Sequence, residues 1–119
     1  MKELAFIIED DKDLSYIFAA ALEQANYEVE AILDGLAAKK RLEETTPHMI
    51  ILDMHLPNIS GSDLLTQIRK DARFTDTSVI IITADARMGE AFTDAADFVL
   101  VKPIAFTQLR DLAARLHKA

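Results

Sequence analysis

The chain has 119 residues and no cysteine. Disulfides, thiolate nucleophiles and cysteine-ligated metals are therefore excluded. Glycine is scarce, with three residues, and no glycine-rich phosphate loop is present, so nucleotide or dinucleotide binding has no support. Basic residues are outnumbered, 13 Lys and Arg against 20 Asp and Glu. The resulting net charge of −7 opposes both a nucleic-acid surface and docking on anionic lipid. No apolar run approaches the length that crosses a bilayer. The Met-Lys-Glu start leads directly into a short strand-like run and carries no signal-peptide pattern. There is no linker, internal repeat or low-complexity tract. These absences lead to the expectation of one cytoplasmic domain spanning 1–119, without membrane attachment.

Half of the residues are hydrophobic, enough for a substantial core. They fall into two alternating kinds of segment. Leu4–Ile8, Val29–Leu33, Met49–Leu52, Val79–Ile82 and Phe98–Val101 are short, continuous apolar runs rich in β-branched residues, the pattern of strands covered on both faces. Between them lie stretches of helical period. Leu14, Ile17, Phe18, Ala21, Leu22 and Ala25 form one stripe, and Leu36, Ala37, Lys40 and Leu42 suggest a second, less regular face. Leu64, Leu65 and Ile68 form another, and Phe106, Leu109, Leu112, Ala113 and Leu116 the last. Asp11 and Ser60 are expected helix caps, Ser60 with Asp63 as a variant capping box. Asn26 suits a left-handed position after the first helix, and Pro103 suits the first position of the last. Five strand–helix alternations predict a parallel five-stranded sheet with helices on both faces. Between Thr83 and Lys102, Gly89 interrupts a weak apolar period, so a short or irregular fourth helix is expected.

In such a sheet, sites form at the carboxyl ends of the strands. Glu9 and Asp10 follow the first strand, Asp53 ends the third, Thr83 ends the fourth and Lys102 follows the fifth. Three carboxylates crowded on one rim repel each other, and desolvation worsens the repulsion. Mg²⁺, which takes oxygen ligands and often binds through one or two carboxylates plus phosphate, relieves it. Lys102 supplies a point charge for phosphate and Thr83 a hydroxyl donor. A carboxylate that attacks phosphorus forms an acyl phosphate, in a reaction that needs mainly positioning and charge neutralisation. Each residue alone also has an ordinary role as a capping, loop-start or surface group; the argument rests on their convergence. His48 and His117 have no ligand-like spacing and are expected at the surface, and Met49 and Met54 are expected packing groups.

The segments that carry these residues are Ala5-Phe-Ile-Ile-Glu9-Asp10-Asp11, Ile50-Ile-Leu-Asp53-Met-His-Leu-Pro57-Asn-Ile-Ser-Gly61, Ile80-Ile-Ile-Thr83-Ala84 and Val99-Leu-Val-Lys102-Pro103. In this order and spacing the chain resembles the receiver domain of bacterial two-component response regulators over essentially its full length. The resemblance implies a flavodoxin-like strand order 2-1-3-4-5 and a phosphoacceptor role in a phosphorelay. Asp53 would accept phosphate from a sensor histidine kinase or a histidine phosphotransfer protein. Asp10, Asp53 and the carbonyl of His55 would bind Mg²⁺ directly, and Glu9 through a bound water. Thr83, the Ala84 amide and Lys102 would contact the phosphoryl oxygens. The Lys102–Pro103 bond would be cis, and the first helix would form much of the kinase-docking surface. His55 and Asp85, which flank the site, would tune the lifetime of the phosphate. Such a domain is no enzyme in the ordinary sense, since it catalyses only its own phosphorylation and dephosphorylation.

Two features depart from the family pattern. Val99 stands where an aromatic residue is usual, and the Thr83-to-Lys102 stretch is a few residues short. They motivate one alternative, a receiver-like binding module that works without phosphate. A second alternative is a haloacid-dehalogenase-type phosphatase. Its nucleophile motif needs an acid two residues past the Asp, where this chain has His55.

Overall fold

The structure is a computed structural model that describes residues 2–117. Five strands, β1 (Glu3–Ile8), β2 (Tyr27–Ile32), β3 (Met49–Asp53), β4 (Ser78–Thr83) and β5 (Phe98–Val101), form one parallel sheet in the order β2-β1-β3-β4-β5. The helices are α1 (Lys12–Gln24), α2 (Gly35–Glu44), α3 (Gly61–Lys70), α4 (Ala86–Ala91) and α5 (Phe106–Leu116), with a single 3₁₀ turn at Ala72–Phe74. The doubly wound parallel sheet is the one expected from the alternation of segments, and its flavodoxin-like strand order is the one the resemblance implies.

Because side chains alternate across a strand, the sheet divides the interior into two layers. Phe6, Ile8, Ile50, Leu52, Val79 and Ile81 pack with Ala38, Leu42, Leu64, Leu65 and Ile68 of α2 and α3. Ala5, Ile7, Met49, Ile51, Ile80 and Ile82 pack with Phe18, Ala21, Leu22, Leu109 and Leu112 of α1 and α5. β3 and β4 are buried along their whole length, which is why their sequences read as unbroken apolar runs. Each large aliphatic side chain so enclosed stabilises the fold by roughly 1.5–3 kcal/mol. Met49 and Met54 are buried in this packing, as expected. No helix among the described residues is long and apolar enough to cross a membrane.

The expected caps are present. Asp11 accepts hydrogen bonds from the Asp13 and Leu14 amides, and Ser60 accepts from Asp63. Asn26 takes φ 72°, the left-handed conformation after α1. The fourth helix is short, at six residues.

Several local expectations are corrected. Pro103 does not open α5: the Lys102–Pro103 bond is cis, Ala105 is extended, and the helix starts at Phe106. α2 buries Gly35, Ala38 and Leu42, and leaves Leu36 mostly exposed. Of the expected α2 face, Leu42 is buried, whereas Leu36, Ala37 and Lys40 are exposed. Ile17 lies at the edge of the α1 stripe and is partly exposed, while Ser15 is buried in its place. β2 begins at Tyr27, whose ring is buried and whose hydroxyl donates to the Ala113 carbonyl. His117 is half-buried rather than at the surface: its ring lies 4.7 Å from that of Tyr27, and Nε2 lies 3.1 Å from the Asn26 carbonyl. His48 is exposed, and its Nδ1 accepts the Leu4 amide.

Candidate functional site

The parallel register carries the carboxyl ends of β1, β3, β4 and β5 to one rim. Asp53 pairs with Ile82 across β3–β4, and Thr83 with Val101 across β4–β5. The Lys102 amide then donates to the Thr83 carbonyl, which fixes the start of the β5–α5 connection beside β4. The Glu9 amide donates to Ile32 at the end of β2, turning the chain over the top of β1.

Glu9, Asp10 and Asp53 each place a carboxylate oxygen within 4.8 Å of the others. Glu9 and Asp53 are buried, whereas Asp10 is exposed. Lys102 reaches this group, with Nζ 3.0 Å from Glu9 Oε1 and 3.6 Å from Asp53 Oδ2. Glu9 Oε1 is enclosed and accepts no hydrogen bond of good geometry, although the Lys102 ammonium lies 3.0 Å away. The other oxygen, Oε2, accepts the Asp11 amide at 3.3 Å. The His55 amide donates to Asp53 Oδ1 at 3.1 Å.

The electrostatics follow from this crowding. Burial lifts the Glu9 carboxyl to about 7, and the adjacent Asp53 adds to the rise against the pull of Lys102. Burial draws the Lys102 ammonium down, but Glu9 and Asp53 outweigh it and hold Lys102 above its usual value. A buried carboxylate oxygen without a well-formed hydrogen bond, beside two further acids, fits a hard divalent cation such as Mg²⁺.

Of the residues expected from the sequence, Glu9, Asp10, Asp53 and Lys102 are brought together, and His55 joins through its backbone. Thr83 ends the adjacent strand, buried, with its hydroxyl engaged elsewhere. Its Oγ1 accepts the Asp85 amide at 3.0 Å and lies 3.3 Å from the Asp85 carbonyl and 3.9 Å from Met88 Sδ. Ala84 follows on the same rim and is exposed. The Asp85 side chain caps α4 by accepting the Arg87 and Met88 amides.

Two glycines matter more than the sequence pattern alone indicates. A β-carbon on Gly61 would lie 2.5 Å from both the Asp53 carbonyl oxygen and Met54 Cα, so α3 closes on the end of β3 only because that atom is missing. A β-carbon on Gly89 would meet Val99 Cγ1 at 2.7 Å and Thr83 Cγ2 at 3.3 Å. A lone glycine after a capping serine was the available signal for Gly61. Gly89 was legible only as a helix interruption.

Known proteins share both sequence and fold with this chain. The family model of the response regulator receiver domain matches residues 5–114. The DNA-binding dual master transcriptional regulator RpaA of Synechocystis is 32% identical over 114 residues, covering 93% of this chain and 46% of its own length. The chain thus spans about half the length of the curated relatives it matches. Among solved structures, the chemotaxis response regulator CheY4 of Vibrio cholerae superposes with a TM-score of 0.87 at 21% identity, covering 98% of this chain and 99% of that one. The beryllofluoride-activated receiver domain of DrrB gives a TM-score of 0.84 at 25% identity, covering 98% and 97%. The chain belongs to the receiver domain family of two-component response regulators.

Proposed function

We propose that Asp53 is the phosphoacceptor of a Mg²⁺-dependent phosphorelay reaction. The observation that carries this reading is the group of Glu9, Asp10 and Asp53, two of them buried, with Lys102 at its edge. The donors would be a sensor histidine kinase or a histidine phosphotransfer protein. An Asp53 carboxylate oxygen attacks phosphorus, the bond from phosphorus to the donor's imidazole nitrogen breaks, and an acyl phosphate remains on Asp53. Asp10, Asp53 and the His55 carbonyl would hold Mg²⁺ directly, with Glu9 acting through water; the ion supplies charge neutralisation for the transferring group.

The protein's own groups have separate tasks. The His55 amide orients Asp53 by binding one of its oxygens, leaving the other to attack. Lys102, held above its usual pKa, stays cationic at neutral pH and neutralises the charge of an incoming phosphoryl group. Thr83 and the Ala84 amide would donate to phosphoryl oxygens once the Thr83 hydroxyl leaves Asp85 and Met88. His55, exposed beside Asp53, would tune how readily water reaches the acyl phosphate. Asp85 is given no such role, because its side chain caps α4.

The exposed Tyr16 and Ile17 on α1 support docking of the phosphodonor on that helix. A net charge of −7 opposes direct nucleic-acid binding by this domain. Output would pass to a downstream protein or attached domain, since relatives of this chain extend well beyond its length. Acetyl phosphate with Mg²⁺ should add the mass of one phosphoryl group to the wild type and none to Asp53→Asn. Addition to both would move the acceptor to another residue; addition to neither would remove the phosphoacceptor reading.

A further inference from the structure

We propose that Gly89 is a positioning residue for the Thr83 hydroxyl: through its contact with Val99, it sets whether that hydroxyl rests on α4 or reaches an anion held at Asp53. The inference rests on the phosphoacceptor reading and adds a regulation of that same site.

Three observations converge. The Thr83 hydroxyl is engaged by the first turn of α4, through the Asp85 amide and carbonyl and Met88 Sδ. α4 lies close enough to do this because residue 89 has no side chain; a β-carbon there would meet Val99 Cγ1 at 2.7 Å and the Thr83 methyl at 3.3 Å. Gly89 is buried, while Met88 and Val99 are half-buried against the same core layer. The seat of α4 is therefore set by the fit of position 89 to position 99.

A threonine hydroxyl has one hydrogen to donate. It cannot serve α4 and a phosphoryl oxygen together, so the two arrangements compete. Whatever weakens one favours the other by the same free energy. Six residues give α4 few interactions of its own, so a single methyl group at the 89–99 contact is enough to move its first turn away from Thr83.

Titration of the full chain with beryllofluoride and Mg²⁺, followed by fluorine NMR, tests this. Gly89→Ala should tighten binding by about fivefold, the size of one competing hydrogen bond. Adding Val99→Ala removes the closer of the two atoms that the new β-carbon meets, so the double variant should return to within about twofold of the wild type. Alanine is also the better helix former; an effect of helix propensity alone would persist in the double variant and would overturn the proposal. In a Thr83→Val background, which keeps the methyl contact but has no hydroxyl, Gly89→Ala should have no effect. Unchanged or weaker binding in Gly89→Ala overturns the proposal. Should Gly89→Ala not fold, Met88→Leu, which removes the sulfur acceptor, should tighten binding by about twofold, and no change in that variant overturns the proposal equally. Absence of beryllofluoride binding in the wild type would instead overturn the site reading, and this inference with it.

Discussion

The site has two unequal sides. On the β1–β3 side, Glu9 follows a strand enclosed at all but Leu4, Asp53 ends one enclosed along its whole length, and Gly61 lets α3 close directly on the Asp53 carbonyl. On the α4–β5 side, the helix has six residues, β5 has four, and Phe98 and Val101 at its ends are partly exposed. Charge is concentrated on the well-packed side, where like carboxylates must be held together against their repulsion. The Thr83 hydroxyl bonds the first turn of α4, on the lightly packed side. Local stability falls where packing is sparse, so the division separates a fixed electrostatic template from a part that can respond to it.

Substitutions can break or sharpen this contrast. The largest effect belongs to the packed side: Leu52→Ala, at a fully buried position one residue before Asp53, should cost about 2–5 kcal/mol in urea unfolding. A cost below 1 kcal/mol would mean that β3 is not the rigid half.

The pH dependence comes next. Between the usual Glu value of 4.5 and about 7, native Glu9 retains a proton that the unfolded chain has released. Its contribution to stability is therefore full below pH 4.5 and is lost as pH rises through 7, by at most about 3 kcal/mol. In EDTA, wild type should lose stability relative to Glu9→Gln between pH 5 and pH 8, and Mg²⁺ should narrow the gap by binding the native acids. Parallel curves for the two proteins would remove Glu9 as the strained acid.

Gly61→Ala should cost about 2 kcal/mol, because its β-carbon meets backbone and not a flexible side chain. It should also shift the amide resonances of Met54 and His55. The smallest effect is expected on the other side: Phe98→Ala should change stability by no more than about 1 kcal/mol. A larger loss would show β5 to be as firmly packed as β3.

The sheet was legible because continuous apolar runs mark doubly covered strands, and the acidic group because strand ends converge on one rim. What was hidden depends on tertiary fit. Pro103 has the chemistry of a first helical residue, yet Ala105 is still extended and α5 starts only at Phe106. Leu36 is the more hydrophobic residue, yet Ala38 faces the sheet, because the start of α2 at Gly35 sets the phase of the helix. Thr83 was legible as a donor on the rim, but the present direction of its hydroxyl depends on Gly89, whose role comes from what lies across from it and not from its neighbours in sequence. The partners of His117 likewise come from far along the chain: Asn26, 91 residues earlier, and Tyr27 at the start of β2.

The placement of the two tyrosines has a practical consequence. With no tryptophan, intrinsic emission comes from Tyr16 and Tyr27 alone. Tyr27 is enclosed beside His117 at the end of the sheet opposite the acids, and Tyr16 stands out from α1 with 78% of its surface exposed. A Tyr16→Phe chain would emit only from the interior and give an optical record of unfolding. A Tyr27→Phe chain would emit only from the α1 surface and signal the arrival of a partner there. The molecule thus carries two native dyes, one for its integrity and one for its company.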